Sequence, residues 1–178
     1  MIAVESMAER FGALPFRSTS LFESAATEFG GEEVLLLAPQ TYMNNSGDAV
    51  KDVLLSEGMS PADVLVIYDD FQIPFGALRF RTEGSDGGHN GIASVIYQTE
   101  TEKIARLRIG IAGEGFPSKH THEAMADYVL ERFTEEEIAL MPLILRNVQD
   151  ACVTWLMEGP ERTMSRYNKN FFSPVTSG

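Results

Sequence analysis

The segment Gly84-Ser85-Asp86-Gly87-Gly88-His89-Asn90-Gly91 is the most informative stretch of this sequence. A strand-like run at residues 77–81 precedes it, and a helix-like run at residues 92–97 follows it. Glycines allow positive φ and close approach of a ligand to the backbone, and a helix that starts just after them offers unpaired N–H groups. The segment therefore has two interpretations, a binding site or a simple helix start capped by Asp86 or Asn90.

Composition places the chain among ordinary globular proteins. Its 178 residues suit one domain with a full hydrophobic core, and 44% of them are hydrophobic. The sequence has 14 Lys and Arg against 26 Asp and Glu, a net charge of −12. This charge argues against broad, non-specific binding of nucleic acids, although it leaves room for a local basic patch.

The cellular location is predicted from the segments and cysteine pairs that the sequence lacks. No apolar run approaches the roughly 20 residues that span a bilayer, and the amphipathic segment after Met1 does not resemble a signal peptide. The single cysteine, Cys152, excludes an internal disulfide and fits a reducing compartment. We therefore expect a cytoplasmic protein with no membrane contact.

The order of hydrophobic patterns predicts a single α/β domain, residues 1–178, with a twisted mixed β-sheet flanked by helices. A capping box at Thr134-Glu-Glu-Glu137 opens a long helix, in which Pro142 should produce a kink or mark the true start. Residues 160–178 are predicted to form a polar C-terminal tail. The remaining predicted helices are 2–12, one ending near Glu57, and 90–98; the predicted strands are 20–28, 33–39, 63–68, 77–81 and 105–110, with a hairpin turn at Gly30-Gly31.

Polar residues follow three predicted strands, where ligands of α/β sheets bind. They are Tyr42 and Asn44, then Asp69 and Asp70, then His89 and Asn90. If strands 33–39 and 63–68 are parallel neighbours, the first two groups share one rim. Asparagine amides suit an ester or peptide carbonyl, and an aspartate can orient a histidine. Any single group would be read as a helix cap or a turn, but three together favour a site.

Arginines alternate along two strands. Arg79 and Arg81 share one face of their strand, and Arg106 and Arg108 share one face of theirs. Such a set predicts a phosphate clamp, because arginine binds phosphate through two parallel hydrogen bonds; the alternative is a solvated face paired with local acids. The pair His120 and His122 is weak evidence for a metal site and is assigned to the surface.

Four motifs in register resemble bacterial-type peptidyl-tRNA hydrolase over essentially the whole chain. They are Thr41-Tyr-Met-Asn-Asn-Ser-Gly47, Tyr68-Asp-Asp-Phe-Gln-Ile-Pro-Phe-Gly76, Gly87-Gly-His-Asn-Gly91 and Arg106-Leu-Arg-Ile-Gly110. The resemblance implies a monomeric α/β domain that hydrolyses the ester between peptide and tRNA without metal or other cofactor, recycling tRNA for translation.

The resemblance also implies roles for individual residues. Asn44 and Asn90 would hold the peptide and the 3′ end of the tRNA, and Asp69 would support the catalytic histidine. The other implied binding residues are Tyr42 and Met43, which would line the site, His89, and Arg81 with Arg108 as a clamp for the tRNA 5′-phosphate. The segment 113–130 resembles the mobile cover of the family's cleft.

One departure from the family concerns the start of the chain. The family begins with a strand and with segments of the type Gly-Leu-x-Asn-Pro-Gly and Thr-Arg-His-Asn, and this sequence starts at the helix that follows them. None of His89, His120 and His122 occupies the position of the catalytic histidine. We therefore expect an N-terminally short version of a longer native chain, with weak activity. The missing strand is also expected to impair folding and to favour self-association.

Two other classes remain open from the sequence. One is a non-catalytic RNA-binding relative, like the chloroplast splicing factor that shares this fold. The other is an unrelated α/β amidase or esterase, which would need a nucleophile on a sharp turn, and the sequence has no G-x-S-x-G motif.

Overall fold

The computed structural model describes residues 2–13, 15–113, 116–117, 128–130 and 132–172. Its helices, numbered here in chain order, are α1 Ile2–Phe11, α2 Ser46–Glu57, α3 Asn90–Thr99, α4 Glu135–Glu158 and α5 Pro160–Tyr167. Its strands are β1 Arg17–Ser18, β2 Phe22–Phe29, β3 Glu32–Pro39, β4 Leu65–Pro74, β5 Leu78–Arg81 and β6 Ala105–Ala112. Helices and strands are interspersed along the chain, which confirms the predicted α/β class.

The chain divides into two compact units. The first contains Met1–Val66 and Thr82–Ala105, and the second contains Ile67–Arg81 and Arg106–Gly178. Strand β4 begins two residues before the second unit, and each unit holds one three-stranded sheet.

The sheet of the first unit is built on the predicted hairpin. Strands β2 and β3 pair antiparallel from Phe22↔Pro39 to Phe29↔Glu32. Gly30 and Gly31 join them with φ values of +64° and +88°, which are accessible to glycine at little strain. Helix α2 buries Ala49 and Val53 against Phe22, and this packing gives the unit its hydrophobic core. Helix α1 lies beside the hairpin, with the rings of Phe11 and Phe29 5.0 Å apart.

The second unit contains a sheet in the order β4-β6-β5. Strands β5 and β6 pair antiparallel, and Leu78, Phe80 and Leu107 on one face are fully buried. Gly110 has no room for a side chain, because a Cβ there would lie 2.0 Å from the carbonyl oxygen of Pro74. A glycine is therefore required where β6 passes this backbone.

Helix α4 begins with the predicted capping box. Oγ1 of Thr134 accepts a hydrogen bond from the N–H of Glu137 at 3.2 Å, and the Glu137 carboxylate accepts one from the N–H of Thr134 at 2.9 Å. Pro142 lies inside α4 and does not mark its start. Gly159 ends α4, and Pro160 is the first residue of α5, a position that needs no backbone donor. Residues 160–167 of the predicted polar tail are therefore helical.

The segment after α5 covers the edge of β5. The side-chain amide of Asn168 accepts a hydrogen bond from the N–H of Phe80 at 2.5 Å and donates one to the carbonyl of Phe80 at 3.2 Å. The carbonyl of Lys169 accepts a further bond from Leu78. These contacts satisfy backbone groups that an edge strand would otherwise leave unpaired.

Two sequence predictions about strands are wrong. Strands β3 and β4 belong to different sheets, so they are not parallel neighbours. Strand β4 also continues to Pro74, which puts Asp69 and Asp70 within the strand rather than after it. The buried Asp70 is tolerated there because its carboxylate accepts hydrogen bonds from Gln72 and Arg108. Among the described helices, none is long and apolar enough to cross a bilayer.

Candidate active site

A turn of 3-10 helix carries the first group of predicted site residues. It spans Met43–Asn45, between β3 and α2. Tyr42 is 84% exposed, Met43 is 55% exposed, and Asn44 is also exposed. Large apolar side chains this exposed, next to an exposed amide, are typical of a surface that contacts a ligand.

Helix α2 is capped from outside its own segment. Asn45 occupies the N-cap position without a side-chain hydrogen bond, and the hydroxyl of Ser46 donates to the carbonyl of Met43 at 2.9 Å. The N–H of Gly47 donates instead to Oγ of Ser94 on α3, at 2.9 Å. The first turn of α2 therefore takes a hydrogen-bond partner from α3, 47 positions further along the chain.

His89 caps helix α3. Its Nδ1 accepts a hydrogen bond from the N–H of Ile92 at 3.2 Å. Asp86 instead closes the preceding turn, where its Oδ1 accepts from the N–H of Gly88 at 2.6 Å. The prediction of a cap by Asp86 or Asn90 is thus wrong, because the imidazole nitrogen of His89 satisfies the free N–H of the first turn. Asn90 opens the helix with an exposed side chain.

The two segments meet at Gly91. A Cβ built on Gly91 would lie 2.7 Å from Sδ of Met43 and 3.0 Å from Cε1 of His89. Only a residue without a side chain lets the Met43 turn approach the start of α3 this closely. The contact brings the segment with Tyr42, Met43 and Asn44 beside the segment with His89 and Asn90.

The second unit carries the predicted arginine clamp. In the β5–β6 pairing, Arg79 lies opposite Arg108 and Arg81 lies opposite Arg106. Paired residues project from the same face of a sheet, so the four guanidinium groups form one surface, called here the arginine face. Arg81 is exposed and donates to the carbonyl of Phe80.

Each central arginine of this face bonds a residue of β4. Nε of Arg108 donates to Oδ2 of Asp70 at 2.7 Å. Arg106 is only 3% exposed and donates to the hydroxyl of Tyr68. Burial raises the pKa of the Tyr68 phenol above its ordinary value, and the nearby charges of Arg108 and Arg106 partly oppose this shift.

Tyr68 received no role from the sequence, and the bonds of Asp70 to Arg108 and of Arg106 to Tyr68 were not predicted, although Asp70 and Arg106 were both placed in candidate sites. A signal for them was present, because Tyr68 and Asp70 alternate with the same period of two as Arg106 and Arg108. Adjacent strands with this pattern place polar side chains on one shared face. Asp69, which projects from the opposite face of β4, is exposed.

The predicted site residues thus fall into two groups. The first unit holds Tyr42, Met43, Asn44, His89 and Asn90, and the second holds Asp69, Arg81 and Arg108. His120, His122 and most of the predicted cover 113–130 lie outside the described residues. Within the part of the chain that the structure describes, no group of three or more His, Cys, Asp or Glu side chains is placed to hold a metal ion.

Comparison with known proteins decides between the open classes. The family model described as peptidyl-tRNA hydrolase matches residues 1–174. This chain belongs to the peptidyl-tRNA hydrolase family. The peptidyl-tRNA hydrolase of Chloroflexus aggregans is 45% identical over 168 residues, which cover 93% of this chain and 86% of that protein. The peptidyl-tRNA hydrolase of a Sulfurihydrogenibium species is 44% identical over 138 residues, covering 78% and 70%.

The solved structures agree with this assignment. The crystal structure of peptidyl-tRNA hydrolase from Acinetobacter baumannii matches with a TM-score of 0.83 at 27% identity, covering 95% of this chain and 84% of that one. The predicted fold class, a peptidyl-tRNA hydrolase-like α/β domain with mixed sheets flanked by helices, is therefore confirmed. The family assignment does not favour a non-catalytic splicing-factor-like relative or an unrelated esterase.

Proposed function

We propose that this protein hydrolyses the ester bond between peptide and tRNA in peptidyl-tRNA. One observation carries the proposal: the Met43–Gly91 contact sets the segment with Asn44 beside the segment with Asn90. Both asparagines are exposed, and neither caps a helix through its side chain. Relatives of 40–45% identity are named peptidyl-tRNA hydrolase, which supports the same substrate.

The reaction needs groups that stabilise charge on the ester carbonyl. Water adds to the carbonyl carbon, the bond to the ribose 3′ oxygen breaks, and that oxygen takes up a proton. The side-chain amides of Asn44 and Asn90 can donate hydrogen bonds to the carbonyl oxygen as negative charge develops on it. Tyr42, Met43 and His89 line the same surface and contact the peptide or the 3′ end of the tRNA.

A histidine base would remove the proton from the attacking water, and Asp69 is the residue that would orient it. We propose no such role for His89, which caps α3.

The arginine face would bind the 5′ terminus of the tRNA acceptor stem. Arg81 and Arg108 are proposed to contact the tRNA 5′-phosphate, because guanidinium groups bind phosphate oxygens in pairs. In a chain of net charge −12, such a surface localises RNA binding to one place. Residues 1–178 are proposed to act as one domain, as a monomer in the cytoplasm, with water as the only co-substrate.

Imidazole rescue tests whether the site can use a base supplied from solution. The purified chain is incubated with N-acetylaminoacyl-tRNA, with and without added imidazole, and release of free tRNA is measured. The proposal predicts imidazole-dependent cleavage above the rate in buffer, and loss of that gain in N44A and N90A. RNA binding without such cleavage would instead favour the non-catalytic relative.

A matched control tests whether the rescue depends specifically on Asn44 and Asn90. Asn170 is another asparagine of the chain, and it lies in the second unit, where its Oδ1 accepts a hydrogen bond from Arg79. The variant N170A should retain imidazole-dependent cleavage. Equal losses in N44A, N90A and N170A would contradict a specific role for the two site asparagines.

A further inference from the structure

We propose that Asp70 is a positioning residue that holds Arg108 in the orientation required to bind an RNA 5′-phosphate. The inference rests on the proposed function, because it concerns how the arginine face meets the tRNA. It adds to that function a residue that acts through another side chain and makes the site selective for a terminal phosphate.

The geometry fixes the Asp70 carboxylate from two sides. Its Oδ1 accepts the N–H of Gln72, in the same strand, at 2.8 Å. Its Oδ2 accepts Nε–H of Arg108, on the neighbouring strand, at 2.7 Å. With one oxygen held by the backbone, the carboxylate cannot turn away, and it determines where the guanidinium lies.

The bond to Asp70 uses Nε of Arg108. Guanidinium groups carry five N–H donors, so the two terminal nitrogens retain donors for an anion. The side chain of Arg108 is 26% exposed, whereas that of Asp70 is 10% exposed. Asp70 is therefore shielded from solvent and fixes the geometry of the pair. Arg108 is more accessible and can contact a ligand.

Stabilisation of the sheet does not explain why further arginines lie beside this pair. Arg79 faces Arg108 and Arg81 faces Arg106 across the strands, and like charges directly opposite one another are destabilising. A terminal phosphate monoester carries up to two negative charges and three acceptor oxygens, more than a phosphodiester. Such a group is the anion that best matches an ordered arginine among further arginines.

Positioning has a measurable consequence. Ordering a free, rotamer-rich side chain on binding lowers affinity by roughly two- to twelvefold. If Asp70 orders Arg108 beforehand, the variant D70N should lose about that much of the preference for a 5′-phosphate over a 5′-hydroxyl. The same variant removes a negative charge from the face, so affinity for the 5′-hydroxyl RNA should stay equal or rise.

The test uses one RNA hairpin that mimics a tRNA acceptor stem, prepared with a 5′-phosphate and with a 5′-hydroxyl. Dissociation constants are measured by fluorescence anisotropy for the 178-residue chain and its variants. The wild-type chain should prefer the 5′-phosphate by about tenfold, as one charged hydrogen bond supplies. R108A should show no preference, and D70N should show a preference of about fivefold or less.

Two further variants separate positioning from general effects. E158Q removes the carboxylate of the surface pair between Glu158 and Arg166 and should keep the wild-type preference. R108K keeps the positive charge but has no Nε to bond Asp70, so it should bind both RNAs and discriminate poorly. If D70N does not fold, R108K tests the role of the same hydrogen bond while Asp70 is still present.

The outcomes are distinct. Wild-type preference retained in D70N, or in R108K when D70N does not fold, overturns the role of Asp70. Equal weakening of both RNAs in D70N shows a structural role and also overturns it. Binding by the wild-type chain without preference for the 5′-phosphate overturns this inference and leaves the hydrolysis proposal to the imidazole test. No binding of either RNA counts against both.

Discussion

The amide N–H of Gly47 donates a hydrogen bond to Oγ of Ser94 at 2.9 Å and so ties the first turn of α2 to the side of α3. The backbones pass so closely that a Cβ on Gly47 would lie 2.2 Å from the carbonyl oxygen of Ser94. This contact connects the two helices that follow the Met43 turn and His89. The relative placement of the segments that carry Asn44 and Asn90 therefore depends on a residue with no side chain.

Replacing Gly47 tests that dependence. G47A should lower the free energy of unfolding by about 1–3 kcal/mol or more, because the added methyl group meets backbone that cannot move aside easily. S94A removes only the hydrogen bond and should lower it by about 0.5–1.5 kcal/mol. Chemical denaturation measures both, and a G47A variant as stable as the wild type would show that the helices separate freely.

The helix cap at His89 gives a second stability prediction. H89A should lower the free energy of unfolding by about 0.5–2 kcal/mol, while H89S should restore most of it because serine is a good N-cap. N90A should stay within about 0.5 kcal/mol of the wild type, since the exposed side chain of Asn90 does not cap the helix. A larger loss in N90A than in H89A, by thermal or urea denaturation, would contradict this division of roles.

Turnover by the purified 178-residue chain should be weak if none of its own histidines acts as the base, because a general base contributes roughly 10²–10⁴-fold to the rate. The measurement is release of tRNA from N-acetylaminoacyl-tRNA, with the Chloroflexus aggregans relative assayed in parallel under the same conditions. Comparable rates for the two proteins would show that a residue of the present sequence supplies the base.

Arg81 is expected to contact a phosphate without reading sequence. R81A should weaken binding of the acceptor-stem hairpin and reduce the slope of log affinity against log salt by about 1. R17A, which removes an exposed arginine from β1 in the first unit, is the matched control for the loss of one charge. Equal changes in the two slopes would mean that net charge accounts for the effect.

The phenol of Tyr68 should titrate above its ordinary pKa of 10.0, because burial disfavours the phenolate. The folded state then holds its proton more tightly than the unfolded state. The resulting stabilisation is complete below pH 10.0 and is lost as the pH rises through the raised pKa. Ultraviolet titration should show one late tyrosine that is absent in Y68F, and stability measured from pH 9 to pH 11 should fall less steeply in that variant. Ionisation of Tyr68 at the same pH as the exposed tyrosines would show that burial does not raise its pKa.

Local signals in the sequence predicted much of the secondary structure. The Gly30-Gly31 hairpin, the Thr134 capping box and the strand now seen as Glu32–Pro39 each depend on residues close in the chain. The sequence did not indicate that β3 and β4 lie in separate sheets, because strand pairing is decided by contacts that hydrophobic periodicity does not encode.

The site residues also divide into those that local sequence signals indicate and those that depend on contacts between distant parts of the chain. The motifs identified Asn44, Asn90 and Arg108 as candidates, and the alternation of arginines along a strand identified Arg81, since both kinds of signal are local. The pairing of Asp70 with Arg108 joins residues 38 positions apart, and nothing in either motif specifies it. His89 was assigned to binding and not to the helix cap, because histidine is an infrequent choice for that position.

The cap formed by His89 also determines which tautomer its ring adopts. A neutral imidazole has one nitrogen with a lone pair and one that carries hydrogen. Because Nδ1 accepts the hydrogen bond from Ile92, the hydrogen lies on Nε2, and the ring has no second lone pair with which to take a proton from water. The histidine nearest to Asn90 in the sequence thus has its one acceptor nitrogen engaged in the cap, and proton removal must fall to another group.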